Sequence, residues 1–295
     1  MDKKERRFEE DIESSLLKSG YAKGDLKTYN RERAIDMPKL VAFIEKTQPK
    51  QWIRYKKIYG ENSEEKLYRR FQDSIEMHGL LYVLRHGFKD RGVSLKVCAF
   101  KPNSTLSDKV MFDYDANIFT ETRQFRYSNE NENSIDIVLS LNGIPIVARE
   151  LKDQRTGQSV VNAMRQWEED RNPKEFCFHR DTRFLVYFAV DLYEVKMATE
   201  LKGKDTYFLP FNQGSNGAGK VGGAGNPENP NGYATSYLWE HVLQKDTLMT
   251  IIQKYMLHEC KETIDKNGKK CFKERMIFPR YHQLDAVSKM LADAK

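Results

Sequence analysis

The chain has 295 residues, of which 31% are charged and 39% hydrophobic, and its formal net charge is +6 with neutral histidines. A chain of this length and composition can bury a proper core, which excludes collagen-like, mucin-like and fully disordered proteins. No apolar run approaches the roughly 18 residues of a membrane-spanning helix, and the first residues lack the apolar centre of a signal peptide. We therefore expect a cytoplasmic protein that does not enter a membrane.

Neither the charge nor the cysteines identify a function. Positive and negative residues are interleaved, so the small positive excess is weak evidence for nucleic-acid binding. The cysteines, Cys98, Cys177, Cys260 and Cys271, are scattered without a C-x-x-C pair, which predicts reduced thiols. The histidines show no metal-binding spacing such as H-E-x-x-H.

Helices are predicted near the start of the chain and strands after them. Residues 6–19 and 64–78 carry apolar side chains at helical spacing, and each segment is followed by a glycine. Short runs rich in Val, Ile, Phe and Tyr then predict strands. These runs are residues 81–85, 93–100, 118–127, 135–141, 144–151 and 183–190. With a helix predicted at 158–170, the order indicates an α/β fold, a mixed sheet flanked by helices.

The last third of the chain has a different character. Residues 212–232 are dominated by Gly, Asn and Pro, which predicts a long loop. A helix is predicted at 236–257, followed by a charged, turn-rich connector at 261–275. A last helix begins near residue 281 and reaches the end of the chain without a stop signal, so we expect a piece of a longer protein.

One constellation has the chemistry of a metal-dependent hydrolase. Asp136 lies within an apolar strand, and Glu150 and Lys152 lie two apart on the next strand, so these two share a face. Two carboxylates can hold a hard cation such as Mg²⁺, and a neighbouring lysine can orient water or neutralise developing charge. A buried ion pair between Glu150 and Lys152, or a surface strand of alternating charge, explains the same residues.

The hairpin geometry tests the metal-site interpretation. If Asn142-Gly143 forms a strict two-residue turn, Asp136 lies opposite Arg149, and Asp136 and Glu150 then point to opposite faces. A shared metal therefore requires a β-bulge or a loop of odd length, such as a three-residue loop with Gly143 in the left-handed region. We predict one of these deviations.

A second motif resembles a phosphate-binding loop and fails its requirements. Residues 214–221 match G-x-x-x-x-G-K, but Val221 stands where Ser or Thr would hold Mg²⁺. No clean strand precedes this motif, and its glycine- and proline-rich continuation cannot form the required helix. The pattern favours a flexible or partner-facing loop, and we expect no rise of the melting temperature with ATP.

A set of short segments, taken in order, resembles the N-terminal part of the restriction (R) subunit of type I restriction-modification enzymes. The segments are residues 47–49, 84–87, 123–124, 134–138, 142–145, 150–152, 156–158, 166–171, 208–212, 237–240 and 278–283. Each motif is weak alone, but the ordered set extends over almost the whole chain. The resemblance implies a PD-(D/E)xK restriction-endonuclease-like core.

That resemblance also implies roles for individual residues. Asp136 and Glu150 match the metal-binding carboxylates, the Leu151 backbone carbonyl matches a further metal ligand, and Lys152 matches the catalytic lysine. Ile135 stands where the motif name has proline, which is common in this superfamily. The implied cofactor is Mg²⁺, with Mn²⁺ as the alternative.

Helices on either side of the core offer further candidates. Gln166 matches the glutamine of a Q-x-x-x-Y element and is assigned as catalytic, although Asp170 replaces the tyrosine. An amide that simply caps or packs beside the sheet remains the alternative. A glutamate of the first helix (Glu9, Glu10 or Glu13) can also approach the metal, but a solvated helical face explains these charges equally well.

The resemblance divides the chain into three parts. Residues 1–210 form the endonuclease domain, residues 211–235 a loop, and residues 236–295 a helical extension leading toward an ATP-driven translocase domain. Residues 278–283 resemble an adenine-recognising motif, in which Gln283 binds ATP in the full-length subunit only. This chain lacks the Walker motifs and is not expected to hydrolyse ATP by itself.

The implied function is that of a type I site-specific deoxyribonuclease, a Mg²⁺-dependent hydrolase of double-stranded DNA coupled to ATP-driven translocation. The implied partners are DNA and the methyltransferase and specificity subunits. The alternative is a non-catalytic docking module of the same complex. Several basic residues near the proposed site are expected to contact phosphates. These residues are Arg123, Arg126, Lys152, Arg155, Arg165 and Arg171.

Overall fold

The computed structural model describes residues 3–102, 108–264 and 270–293. The helices are α1 (Lys3–Lys18), α2 (Met37–Thr47), α3 (Pro49–Tyr59), α4 (Ser63–His78), α5 (Leu80–His86), α6 (Asp108–Asp115), α7 (Val160–Arg165), α8 (Lys245–Thr250) and α9 (Tyr281–Asp293). The strands are β1 (Ala22–Lys23), β2 (Phe88–Asp90), β3 (Val93–Leu95), β4 (Phe119–Arg126), β5 (Ser134–Leu141), β6 (Ile144–Leu151), β7 (Val186–Val190), β8 (Val195–Ala198), β9 (Leu209–Pro210), β10 (Leu257–Ile264) and β11 (Lys270–Ile277). Turns of π-helix occupy Gln166–Asp170, Leu238–Val242 and Ile251–Tyr255.

A seven-stranded sheet forms the centre of the molecule. Its order is β1-β4-β5-β6-β7-β8-β9, with β1 parallel to β4 and β6 parallel to β7. The other neighbours in this sheet are antiparallel. The chain leaves β6, passes through α7 and returns as β7, which is the helical crossover that a parallel pair requires. The predicted mixed sheet flanked by helices is confirmed.

The two faces of the sheet have separate cores. On one face, side chains such as Ile137 and Leu139 pack with α1–α5 and α8 in the larger core. On the other face, Val138 and Ala148 pack with Trp167 in a smaller core. Because strand side chains alternate between faces, a residue's parity within β5 and β6 decides which core it meets.

The β5–β6 turn is a two-residue hairpin. Leu141 pairs with Ile144, and the two residues between them have φ angles of 50° and 80°. Positive φ at both positions is the geometry of a type I′ turn, which an Asn-Gly pair favours. The three-residue alternative for this loop is therefore wrong.

A β-bulge follows the turn and resets the register. The pairing shifts between Leu139 and Ser140, because Ser140 pairs with Pro145 and Leu139 with Val147, which leaves Ile146 as the extra residue. A bulge moves all later residues of the strand to the other face. The predicted bulge is confirmed.

Other predictions required correction. Residues 81–85, predicted as a strand, belong to α5, whose apolar residues are buried at helical spacing between two glycines. Of residues 93–100, only Val93–Leu95 is a strand, and it pairs with β2 outside the main sheet. The predicted connector at 261–275 is largely the hairpin β10–β11, whose residues 265–269 lie outside the described part of the chain.

The C-terminal third packs onto the main body. The helix predicted at 236–257 is interrupted: a π-helical turn at Leu238–Val242 ends before Gln244, whose backbone is extended, and α8 with a second π-helical turn then reaches Tyr255. The Trp239 and Ile252 side chains lie in the larger core together with Phe8. Residues 212–232 form a loop of turns, as predicted, with no helix after Lys220. The dismissed phosphate-loop motif thus lacks its structural context. The predicted boundaries at 210 and 235 stay a prediction.

Further expectations concern thiols and membranes. Cys98, Cys177 and Cys260 are free thiols, and the Cys271 side chain lies outside the described part. Within residues 3–102, 108–264 and 270–293, no helix combines the length and apolar character that crossing a bilayer demands.

The type I′ turn generates a stability prediction. A Cβ atom on Gly143 would lie 2.2 Å from the backbone oxygen of Asp36, and its φ of +80° strains any other residue. We expect Gly143→Ala to lower the free energy of unfolding by about 2–4 kcal/mol in urea denaturation.

Gly157 provides the matched control, since its φ is +82° but nothing lies within 4 Å of its Cβ position. Gly157→Ala should cost only the backbone strain, about 1 kcal/mol. Equal losses in the two variants would show that the close approach to Asp36 does not matter.

Candidate active site

The bulge brings Asp136 and Glu150 to one face of the sheet. Ile137 pairs with Arg149, so the next position in this register places Asp136 opposite Glu150. The Leu151 backbone N–H donates a hydrogen bond to Asp136 Oδ2 at 2.7 Å, which ties the carboxylate to the end of β6. The Gln124 side-chain amide lies 3.4 Å from Asp136 Oδ1. The two predicted metal carboxylates are therefore neighbours.

Glu150 is fully buried and is held by Arg171. Both Nε and Nη2 of Arg171 donate to the same oxygen, Glu150 Oε1, at 3.0 and 2.6 Å. The guanidinium also donates to the Ser134 carbonyl at 2.7 Å and lies beside the rings of Tyr127 and Trp167. The second oxygen, Glu150 Oε2, is buried without a hydrogen-bond partner among the described residues.

Burial controls the electrostatics of Glu150. Removal from water raises the pKa of Glu150 well above its usual value, and the nearby Asp136 charge raises it further. Arg171 opposes both effects by favouring the ionised carboxylate. A second positive charge near Oε2 would therefore stabilise the ionised Glu150 carboxylate further.

Lys152 faces the first turn of α1. Its Nζ lies 3.6 Å from Glu5 Oε1, and the Lys152 side chain is only 12% exposed. Burial raises the pKa of Glu5, Lys152 lowers it, and Asp136 raises it. Asp136 and Lys152 thus both act on Glu5, a residue that sequence reasoning missed.

Among the α1 glutamates considered from sequence, Glu9 is linked to Asp136 through Gln124. Glu9 Oε1 accepts a hydrogen bond at 2.9 Å from the Gln124 amide that also touches Asp136. Burial, followed by repulsion from Asp136, raises the pKa of Glu9 to about 7. Arg123 contacts all three of these glutamates, Glu9, Glu10 and Glu13.

Gln166 and Gln283 do not contact the two carboxylates. Gln166 opens the π-helical turn after α7 and is half-buried, and its amide has no hydrogen-bond partner among the described residues. The residue that reaches Glu150 from this segment is Arg171. Gln283 Oε1 accepts a hydrogen bond from the Arg280 N–H at the start of α9.

The expected phosphate contacts need correction at two positions. Arg171 is buried against Glu150 and cannot reach a phosphate. Arg123 is largely buried and is paired with Glu9 and Glu13. The sequence around a basic residue does not show whether the residue is buried in an ion pair or free to bind phosphate, because its acidic partner lies far along the chain.

The donor groups fit a hard cation, although they are few. The described ranges contain no group of three or more His, Cys, Asp and Glu side chains placed to hold a metal ion. Two carboxylates, one with an unpartnered buried oxygen, lie beside the Leu151 backbone. Mg²⁺ commonly uses one or two carboxylates and completes its shell with water and phosphate oxygens.

The sequence matches the family described as type I restriction enzyme R protein N terminus over residues 42–216. Because the match covers more than half of the chain, the chain belongs to this family. Asp136, Glu150, Lys152 and Gln166 lie inside the matched range, whereas α1 and α9 lie outside it. No curated protein sequence matches the chain.

The raised pKa of Glu9 generates a pH prediction. Its ordinary value is 4.5 and its folded value is about 7, so its stabilising contribution is complete below pH 4.5 and is lost as the pH rises through 7. Glu9→Gln lacks this loss. We therefore expect the difference in unfolding free energy, Glu9→Gln minus wild type, to increase by up to about 3 kcal/mol between pH 4.5 and pH 8.

Urea denaturation at several pH values measures this difference. Glu10→Gln is the matched control, a removal of charge at an exposed glutamate on the same helix. A constant difference between wild type and Glu9→Gln across this pH range would contradict the assignment.

The Glu150–Arg171 pair generates a double-mutant prediction. Arg171→Met leaves Glu150 buried without its counter-charge, and we expect a loss of about 3–5 kcal/mol in urea denaturation. The double variant Glu150→Gln, Arg171→Met should be more stable than the sum of the single losses predicts, by at least about 1 kcal/mol. Strict additivity would show that the pair is not coupled.

Proposed function

We propose that this chain is the Mg²⁺-dependent endonuclease part of a type I restriction enzyme R subunit, with a PD-(D/E)xK core that hydrolyses phosphodiester bonds of double-stranded DNA. One observation carries the proposal. The bulge at Ile146 places Asp136 and Glu150 on one face, immediately before Lys152. Without that extra residue, the two carboxylates would face different cores.

The chain's own residues have distinct tasks in this proposal. Asp136, Glu150 and the Leu151 carbonyl would hold Mg²⁺, or Mn²⁺ as the alternative. The bound ion supplies Lewis-acid polarisation of the phosphate and a more acidic water. Arg171 orients Glu150 through Oε1, which leaves Oε2 for the cation.

Lys152 would neutralise charge on the scissile phosphate and orient the attacking water. Its Nζ already has an anionic neighbour, Glu5, at 3.6 Å. A phosphate bound at this position would replace the Glu5 carboxylate as the anionic partner of Lys152. Gln166, in the π-helical turn after α7, would act as the further catalytic residue that the family resemblance implies.

The full-length subunit extends this proposal beyond the chain. There, Gln283 would bind the adenine of ATP, and translocation would bring DNA to the nuclease. The methyltransferase and specificity subunits would supply sequence recognition. These roles rest on the family and on the resemblance of residues 278–283 to an adenine-recognising motif.

A specific observation also favours the second candidate, a non-catalytic docking module. Glu150 is fully buried and already neutralised by Arg171, which is how a structural ion cluster is stabilised. In that case Asp136 serves to cap the Leu151 N–H. Metal binding distinguishes the two candidates.

Cleavage of supercoiled plasmid in Mg²⁺ and in Mn²⁺ tests the proposal. Asp136→Asn and Lys152→Met should each lower the cleavage rate by at least about 100-fold, since each removes charge that acts on the reacting phosphate. In titration calorimetry, Asp136→Asn should lose metal binding, whereas Lys152→Met should retain it.

Lys196→Met is the matched control, because Lys196 is a half-buried lysine at a similar place in β8 and is paired with Glu194. It should cleave like the wild type. Undiminished cleavage by Asp136→Asn would exclude the proposed site. A wild-type chain that neither binds metal nor cuts would support the docking module.

A further inference from the structure

A groove lies at the junction of α4, α5 and the β2–β3 hairpin. It encloses about 340 Å³ and is lined by the rings of His78, Tyr82 and His86 together with Arg70 and Lys89. We call it the ring groove. This volume is at the lower end of the range for small-ligand sites, and it fits about one nucleotide unit.

The three rings form a continuous exposed row. Tyr82 lies between the histidines, with ring centroids 4.7 Å from His78 and 4.4 Å from His86 and interplanar angles of 36° and 43°. Gly79, with φ of +83°, ends α4 and starts α5, so the row continues from one helix to the next. Tyr82 is 45% exposed, and this leaves much of its ring surface available for stacking.

Two basic residues also line the ring groove. Lys89 is exposed, and among the described residues no carboxylate forms an ion pair with it. Lys89 pairs with Ser94 across the hairpin, so both side chains point to the same face. Arg70 Nε donates to the Lys89 carbonyl at 3.3 Å, and this hydrogen bond holds the Arg70 guanidinium beside Lys89.

One acidic residue, Asp73, is among those lining the ring groove. It lies 3.8 Å from Arg70 Nη1 and is well exposed. The contact is long and solvated, so it holds Arg70 only weakly. The groove therefore keeps a positive excess beside an aromatic row.

The ring groove is separate from the candidate active site. Helices α4 and α5 pack in the larger core, on the face of the sheet that carries Ile137 and Leu139. In the described part of the chain, no residue that lines the ring groove contacts Asp136, Glu150 or Lys152, whose partners include Leu151, Arg171 and Glu5. A ligand in the groove does not touch the two carboxylates.

We propose that the ring groove binds a segment of single-stranded DNA, with a base stacked on Tyr82 and the adjacent phosphates at Lys89 and Arg70. Aromatic rows beside basic side chains bind single strands in this way, because an unpaired base offers its face for stacking. Duplex DNA keeps its bases stacked internally and could use only the charges. The choice of DNA over RNA rests on the proposed function, whereas the strand binding does not require cleavage.

Fluorescence anisotropy with a labelled oligo-dT strand tests the proposal on the whole chain, in EDTA so that no cleavage occurs. Tyr82→Ala should weaken binding 5- to 50-fold, as expected for one stacked base. Lys89→Ala should reduce the slope of log K against log salt by about 0.7, the value for one phosphate on a single strand. Asp73→Asn should strengthen binding about twofold by removing the opposing charge.

Two controls separate the groove from general effects. Tyr193→Ala removes a tyrosine that is 60% exposed elsewhere, and Lys204→Ala removes an exposed lysine, so both should bind like the wild type. Binding is measured without a divalent metal ion, so a failed nuclease proposal would not alter this result. Melting temperatures confirm that the variants fold.

Several results would overturn the proposal. These are no detectable binding of the strand by the wild type, affinity of Tyr82→Ala within twofold of the wild type, and equal losses in Tyr193→Ala and Tyr82→Ala. An equal loss of blunt-duplex affinity in Tyr82→Ala would likewise show that the rings do not read an unpaired base.

Discussion

The extra residue at Ile146 is the constraint on which the candidate site depends. Side chains of a strand alternate with a period of two, so the two-residue Asn142-Gly143 turn would by itself separate Asp136 from Glu150. The bulge corrects this after the turn has set the hairpin. The type I′ turn and the bulge thus perform different tasks: one fixes how the strands meet, and the other fixes which side chains share a face.

Placing the carboxylates together creates an electrostatic cost that the surrounding residues offset. Glu150 is buried and depends on Arg171, while Lys152 faces Glu5 and the Gln124 amide joins Asp136 to α1. The pKa values of Glu5, Glu9 and Glu150 are raised, first because these carboxyl groups are buried and then because the Asp136 charge lies near them. Such an environment favours a bound cation.

The fold was predictable where local signals agreed. Residues 118–127, 135–141 and 144–151 combine β-branched content with turn signals, and all three are strands. The prediction failed at residues 81–85, because a short apolar run suits a strand or a buried helix equally well. The run is a helix, α5, because it is buried among the neighbouring helices with its apolar residues at helical spacing. The hairpin β10–β11 was also missed, since its exposed charged strands have no apolar alternation to reveal them.

The sequence by itself determined the residue types of the site, the Asp136, Glu150 and Lys152 spacing, the turn between their strands and the need for a bulge. Family membership followed from the same ordered motifs. Only the tertiary structure decided the position of the bulge, the burial of Glu150 and its pairing with Arg171. Those features depend on contacts between segments that are far apart in the chain, and a local sequence pattern does not show which of these segments meet in the folded protein.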